Sequence, residues 1–314
     1  MEELSIQAQP SLSNPPLILG FTGWMDAGNV STGAVRHIVD TMAAEPLAAI
    51  SPLDFYILNF PVSTVPITVF VDGEQTRVSN INPMEFSAVF RPHTEIKDGV
   101  IKQVVFPSNE FHYAKNPDLI LFRGEEPHIR WGAYSECIFE LTRTFGVSEI
   151  YFIGSVSSPI PHTREPRLRC SSADPALNDR LRGPDVQFTD YSGPSGLITY
   201  MSRACLERGI AMRNIVVEVP HYPFLDMPNY PRSILKVLAK LSELLGLSVD
   251  LSTVEAAARQ TDGQLQEIME ENGEFKTLVE QLEVSYDYEE ADDGDTLLKR
   301  LIDGIDLRGP DDED

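Results

Sequence analysis

Three short apolar runs set the pattern of the chain: Pro16-Leu17-Ile18-Leu19-Gly20-Phe21, Asp118-Leu119-Ile120-Leu121-Phe122, and Glu149-Ile150-Tyr151-Phe152-Ile153-Gly154-Ser155-Val156. Each is too short for a helix and too uniformly apolar for a sheet with one wet face, so each predicts a strand covered on both sides. Between and after them the spacing changes. Val30, Ala34, Val35, Ile38 and Val39 recur at helical steps within Val30 to Met42; Trp131 to Phe145 forms a second helix stopped by Gly146. A further unit follows, with a strand at Val186 to Phe188, a helix from Gly196 to Arg208 stopped by Gly209, and a fourth central strand at Asn214 to Val219. Ser233 to Leu245 gives the last helix of the body. Such alternation predicts the α/β class, a mixed, mainly parallel sheet sandwiched by helices.

Two regions break the alternation. Extended segments near Asp54 to Phe60 and at Ile67 to Val71, Gln75 to Ser79 and Val100 to Phe106, with turns at Asp72-Gly73 and Asp98-Gly99, predict an antiparallel, lid-like insertion. Further on, Thr253 to Leu282 predicts a helical hairpin turning at Glu271-Asn272-Gly273. Its Leu265, Ile268, Met269, Phe275, Leu278, Val279 and Leu282 form an apolar stripe with acids on the outer face. The stripe must be covered, by the chain's own body or by a neighbouring subunit. Three parts result: an α/β unit over 15–247, a helical extension over 248–290, and an acidic tail over 291–314, expected to be mobile.

Charge changes this picture in one way. The net charge is −23, and the last 60 residues hold 20 acids against 5 bases, so the body is only mildly acidic. Residues 287–295 are mostly acidic, which suits a solvated, frayed tail. With no clustered Lys/Arg face, a nucleic-acid partner is not expected. The start Met1-Glu2-Glu3-Leu4 lacks a basic then apolar leader, and no apolar stretch approaches the ~20 residues that cross a bilayer. Three cysteines in 314 residues make no disulfide scaffold. A soluble, cytoplasmic protein with no membrane association is the expectation.

Candidate chemistry collects after the strands, where open α/β sheets present ligands. Pro161-His162-Thr163-Arg164 places an imidazole, a hydroxyl and a guanidinium within four residues. Arg164 could hold a carboxylate or phosphate through paired N–H donors while His162 moves a proton near neutral pH. Alternatively, Arg164 pairs with Glu165 or Glu126 and His162 bonds backbone. The loop holding Gly23, Trp24, Asp26 and Gly28 could admit an anion at a helix N-terminus, but its spacing matches neither dinucleotide nor P-loop patterns; Asp26 or Asn29 as a helix cap is the competing assignment. Ser195 lacks the G-x-S-x-G frame, and a helix cap competes with ligand contact there too. His221 and Tyr222 end the fourth strand between Pro220 and Pro223, as pocket wall or rigid turn. Trp24 and Trp131 could line the same rim, with simple burial as the alternative. Cys137 and Cys205 fall on helices as core residues, Cys170 in a loop, and the six histidines show no metal-ligand spacing, so no metal is expected.

Lined up, five motifs occur in one order: Gly23-Trp24-Met25-Asp26-Ala27-Gly28, Glu126-Pro127 with Arg130-Trp131, Pro161-His162-Thr163-Arg164, Gly193-Pro194-Ser195-Gly196, and Val219-Pro220-His221-Tyr222. Over roughly residues 15–245 the chain resembles the proteasome assembly chaperone 2 family. The resemblance implies a three-layer α/β/α fold similar to purine nucleoside phosphorylases, homo-oligomeric assembly, a homotrimer or a multiple of it, and a protein client in proteasome ring building. Some relatives carry an ATP-grasp or carboxylate-amine ligase label. Two departures stand out. Archaeal chaperones of this kind dock with a C-terminal hydrophobic-Tyr-X tail, whereas this chain ends Gly309-Pro310-Asp311-Asp312-Glu313-Asp314; and Phe60 before Pro61 stands where relatives often have Arg.

Two functions remain open at this stage. One is a non-catalytic assembly or binding module, with an anion pocket as an optional feature. The other is an enzyme on a phosphorylase-like frame, with the first loop, Arg164, His162, Ser195 and His221 around a nucleotide- or amino-acid-like substrate; the candidate ligand-binding residues in either case are Gly23, Trp24, Asp26, Gly28, Glu126, His162, Thr163, Arg164, Ser195, Gly196, His221 and Tyr222. No catalytic residue and no cofactor is assigned by the sequence.

Overall fold

A computed structural model describes residues 3–59, 68–71, 74–77, 90–183 and 185–291. Its centre is a nine-stranded sheet of order β1-β3-β8-β9-β2-β10-β13-β11-β12. The strands are β1 (Leu4–Ile6), β2 (Leu17–Thr22), β3 (Glu45–Ile50), β8 (Glu110–Ala114), β9 (Leu119–Glu125), β10 (Ile150–Ser158), β11 (Leu168–Ser172), β12 (Val186–Phe188) and β13 (Met212–Pro220). Strands β9, β2, β10 and β13 run parallel at the centre, and antiparallel pairing flanks them on both sides. The three apolar runs are thus β2, β9 and β10, side by side.

Alternation along these strands separates two cores. Leu17, Leu19, Phe21, Ile120, Phe122, Ile150 and Phe152 face helices α2 (Trp131–Phe145) and α3 (Leu197–Glu207). Ile18, Leu119, Leu121, Tyr151, Ile153, Ile215 and Val217 face α1 (Val30–Thr41), α4 (Pro231–Leu245) and the α5 (Ser252–Glu271) and α6 (Gly273–Ala291) hairpin. The result is an α/β/α sandwich with a C-terminal helical region, as expected. Gly20 is needed for the second layer: a Cβ there would lie 2.7 Å from the Ser31 carbonyl oxygen of α1. Ser31 accepts from Phe21 N–H at 3.0 Å and donates to the Ile153 carbonyl, pinning α1 across β2 and β10.

Among the described residues the insertion contains two hairpins, β4 (Thr68–Val71) with β5 (Glu74–Arg77), and β6 (His93–Lys97) with β7 (Val100–Val105). The Asp72-Gly73 turn, Phe60, Pro61, Ile67, Ser79 and the tail beyond residue 291 lie outside the described residues. Asp54–Asn59 is not extended: it is turn and loop, with Phe55 and Tyr56 both buried and the Tyr56 hydroxyl bonded to the Asn109 side chain at 2.9 Å. Cys170 lies not in a loop but in β11, fully buried. The acidic stretch from 287 to 291 is not frayed but helical, the last turn of α6.

Candidate functional site

Because β9, β2, β10 and β13 are parallel, the loops after them share the carboxyl edge of the sheet. Gly23 and Gly28 allow the first loop its path, with φ of +121° and +60°. A Cβ on Gly28 would meet Tyr230 at 2.9 Å, and the Gly28 carbonyl accepts the Tyr230 N–H. Asp26 is buried and turned inward: its carboxylate accepts from Thr32 N–H at 3.2 Å and Thr32 Oγ1 at 2.7 Å, capping α1 across the 3₁₀ turn Ala27–Asn29. Burial pushes its carboxyl up to about 6 against these bonds. Ser155 N–H and Oγ bond the Met25 and Ala27 carbonyls, tying the loop to β10.

Glu126, half-buried after β9, would meet a Gly23 Cβ at 3.2 Å and accepts the Leu197 N–H at 2.9 Å. The cap of α3 is therefore this carboxylate. Gly196 is the residue at the helix start and Ser195 is exposed, so the expected Ser195 cap is not made. Trp24 is also not buried; it is 70% exposed, whereas Trp131 donates its indole N–H to the Pro127 carbonyl at 2.8 Å.

The third loop is covered. His162 is 3% exposed; its N–H donates to the Tyr222 hydroxyl at 2.9 Å, and its Nδ1 lies 2.7 Å from the same oxygen. Its ring stacks on Phe275 of α6 at 5.9 Å between centroids, and Tyr222 meets Phe275 edge-on at 4.8 Å. Burial pushes the His162 pKa down. Arg164 grips Asp287 through Nε and Nη2, each at 2.7 Å, and reaches Glu283 through Nη1 at 3.1 Å. Thr163 Oγ1 donates to the same Glu283 oxygen. Arg167 pairs with Glu289 at 2.5 Å and lies over the Tyr286 ring, whose hydroxyl donates to the Glu165 carbonyl. Neither Glu165 nor Glu126 is the partner of Arg164, contrary to the sequence-based alternative; the partners come from about 120 residues away.

The predicted residues fall into separate groups. Gly23, Glu126 and Gly196 meet at the start of α3, while His162, Thr163, Arg164 and Tyr222 meet under α6. Asp26 and Gly28 touch α1 and Tyr230; His221 is exposed, its N–H donating to the Ser158 carbonyl. Sequence reasoning missed Asp287, Glu283, Arg167, Arg232 and Asp262. A signal existed for the first two, whose four-residue spacing aligns two carboxylates on one helix face. Large apolar side chains are exposed in these loops, Trp24, Leu53, Ile129, Tyr191 and Phe224, interspersed with exposed polar ones such as His128, Arg130, Ser195 and His221. Among the described residues no group of three or more His, Cys, Asp or Glu is set to hold a metal, and no helix is long and apolar enough to cross a membrane.

The PAC2 family model matches residues 20–269. The chain belongs to the PAC2 family. This PAC2 chain is similar in fold to a protein of unknown function from Corynebacterium glutamicum, at 22% identity over 91% of this chain and 98% of that one, TM-score 0.74. It also resembles a proteasome-assembly chaperone homologue of Mycobacterium tuberculosis (22% identity, 84% and 99% coverage, TM-score 0.68). A third relative is PbaB, an archaeal proteasome activator of Pyrococcus furiosus (18%, 85% and 99%, TM-score 0.57). No curated protein matches the sequence.

Proposed function

We propose that this PAC2 protein is a non-catalytic assembly or binding module that self-associates, as a homotrimer or a multiple of it, and engages a protein client in the cytoplasm. One observation carries the reading. The guanidinium an anion-processing enzyme would present to substrate is spent on Asp287 and Glu283, carboxylates of the chain's own α6. A carboxylate pair already holds both faces of that fork, and His162 beside it is buried against Phe275. The loops of the carboxyl edge serve as helix caps and interhelical ties, and among their exposed side chains are the large apolar Trp24, Tyr191 and Phe224. Surfaces of that kind suit protein contact better than small polar ligands.

A thermal-shift screen of nucleotides, nucleosides and amino acids tests this. The proposal expects none to stabilise the protein in a saturable way. Saturable stabilisation lost in Arg164→Ala with the fold intact would instead support a small-molecule anion pocket and the enzyme alternative.

A further inference from the structure

Exposed apolar side chains concentrate in the hairpin of β6 and β7. Of the sixteen large apolar side chains exposed among the described residues, six fall within residues 96–106: Ile96, Val100, Ile101, Val104, Val105 and Phe106. Single exposed apolar residues are ordinary on a protein surface, whereas contiguous ones mark a contact. Every residue of both strands is exposed, and the two form a sheet that no third strand joins among the described residues. A two-stranded hairpin is marginally stable by itself in water, so this one gains from being covered.

The register sorts its side chains by face. Thr94 pairs with Val104 and Ile96 with Ile101; alternate residues of β6 share a side, so these four make one face with three large apolar members. Ile96 and Ile101 are 63% and 64% exposed. The opposite face is mixed, with His93 beside Val105, Glu95 beside Gln103 and Lys97 beside Val100. A register shift between Glu95 and Ile96 leaves Lys102 without a cross-strand partner, and a bulge bearing a lysine guards a strand edge against lateral pairing. What the hairpin offers is therefore its apolar face.

Charge selects the occupant. The whole chain carries −23, so copies of it repel over most of their surface, but the hairpin sets Glu95 and Asp98 against Lys97 and Lys102 and is neutral. None of these four forms an ion pair among the described residues. A neutral patch with unpaired charges of both signs is complementary to a copy of itself. We infer that two copies of this chain pair through this face, β6–β7 hairpin against β6–β7 hairpin, about a two-fold axis. The inference rests on the reading that the chain self-associates, and it names one contact by which it does so. Such a contact uses the same patch on both members and closes on itself, so it yields even-numbered assemblies and doubles a trimer. A hairpin presents fewer than the roughly 20–30 residues a side of a standard stable interface, so the pairing loosens on dilution.

The mass of the full chain in solution, measured by light scattering at high and low protein concentration, tests this. An even number of copies is expected at high concentration, halved in the double variant Ile96→Asp, Ile101→Asp. Both positions are exposed, so its far-ultraviolet spectrum and thermal midpoint should stay native. The control Leu206→Asp, Val284→Asp adds the same charge at exposed apolar positions elsewhere and should leave the mass unchanged. If the double variant does not fold, Ile101→Thr keeps a branched strand former and should weaken the pairing about tenfold. A hairpin variant of native mass, an odd-numbered native assembly, or equal dissociation in the control would overturn the inference and leave self-association standing. A native chain that is monomeric at every concentration would overturn both. Loss of a co-purifying protein from a hairpin variant whose own mass is unchanged would also overturn it, by giving the face to a client.

Discussion

Arg164 and Asp287 form a two-pronged pair, with both bonds at 2.7 Å, across 123 residues of sequence. The guanidinium pulls the Asp287 carboxyl below its ordinary value. Both side chains are partly solvated, so the pair specifies where α6 lies more than it stabilises the protein. Arg164→Ala should therefore leave the urea midpoint nearly unchanged while amide exchange in α6 speeds up. A large loss of global stability would show that the pair holds the body together.

Phe275 is the apolar counterpart. It is fully buried against His162, Tyr222 and Phe224. Its truncation removes a whole ring from a packed site, and Phe275→Ala should cost about 3–5 kcal/mol. Urea unfolding measures this directly, and the loss should far exceed that in Arg164→Ala.

Two buried groups make opposite pH contributions. Asp26 has a folded value of about 6 against 3.8 for the free side chain, so between those pH values the folded protein holds a proton the unfolded chain has lost. Its contribution to stability therefore falls as pH rises through that window, and above it the carboxylate costs roughly 3 kcal/mol at most. Asp26→Asn should raise stability at pH 8 and leave it little changed at pH 4. An Asn that destabilises equally at both values would mean that the cap to Thr32 outweighs burial.

His162 works the other way. Its folded value lies below the ordinary 6.5, so its contribution is full above pH 6.5 and shrinks as pH falls below it, where the unfolded chain takes up a proton first. The groups facing it are Tyr222, Arg232, Asp262 and Glu283. Stability measured from pH 7.5 to 5.5 should drop more steeply in the native chain than in His162→Gln.

The central strands were legible because β2, β9 and β10 are covered on both faces, and covered strands must be apolar throughout. The flanking β3 and β8 were not. Glu45–Ile50 begins with Glu-Pro, and Glu110–Ala114 mixes charge and aromatic residues, since both lie beyond the doubly covered centre of the sheet. Asp54 to Phe60 misled for a related reason: Phe55 and Tyr56 are neighbours yet both buried, which a strand with one wet face does not allow. At the site, the loops were found but their partners were not. Glu283, Asp287 and Glu289 resemble a solvated acidic face, and only the fold brings Arg164 and Arg167 to them.

The central claim is that this protein acts by holding another protein. The most direct measurement is affinity purification of the full chain, tagged and expressed at its native level, with the mass of the recovered complex determined in solution. The account predicts a self-assembled core together with a second protein in fixed stoichiometry. Repeated recovery of the self-assembled chain alone would contradict it.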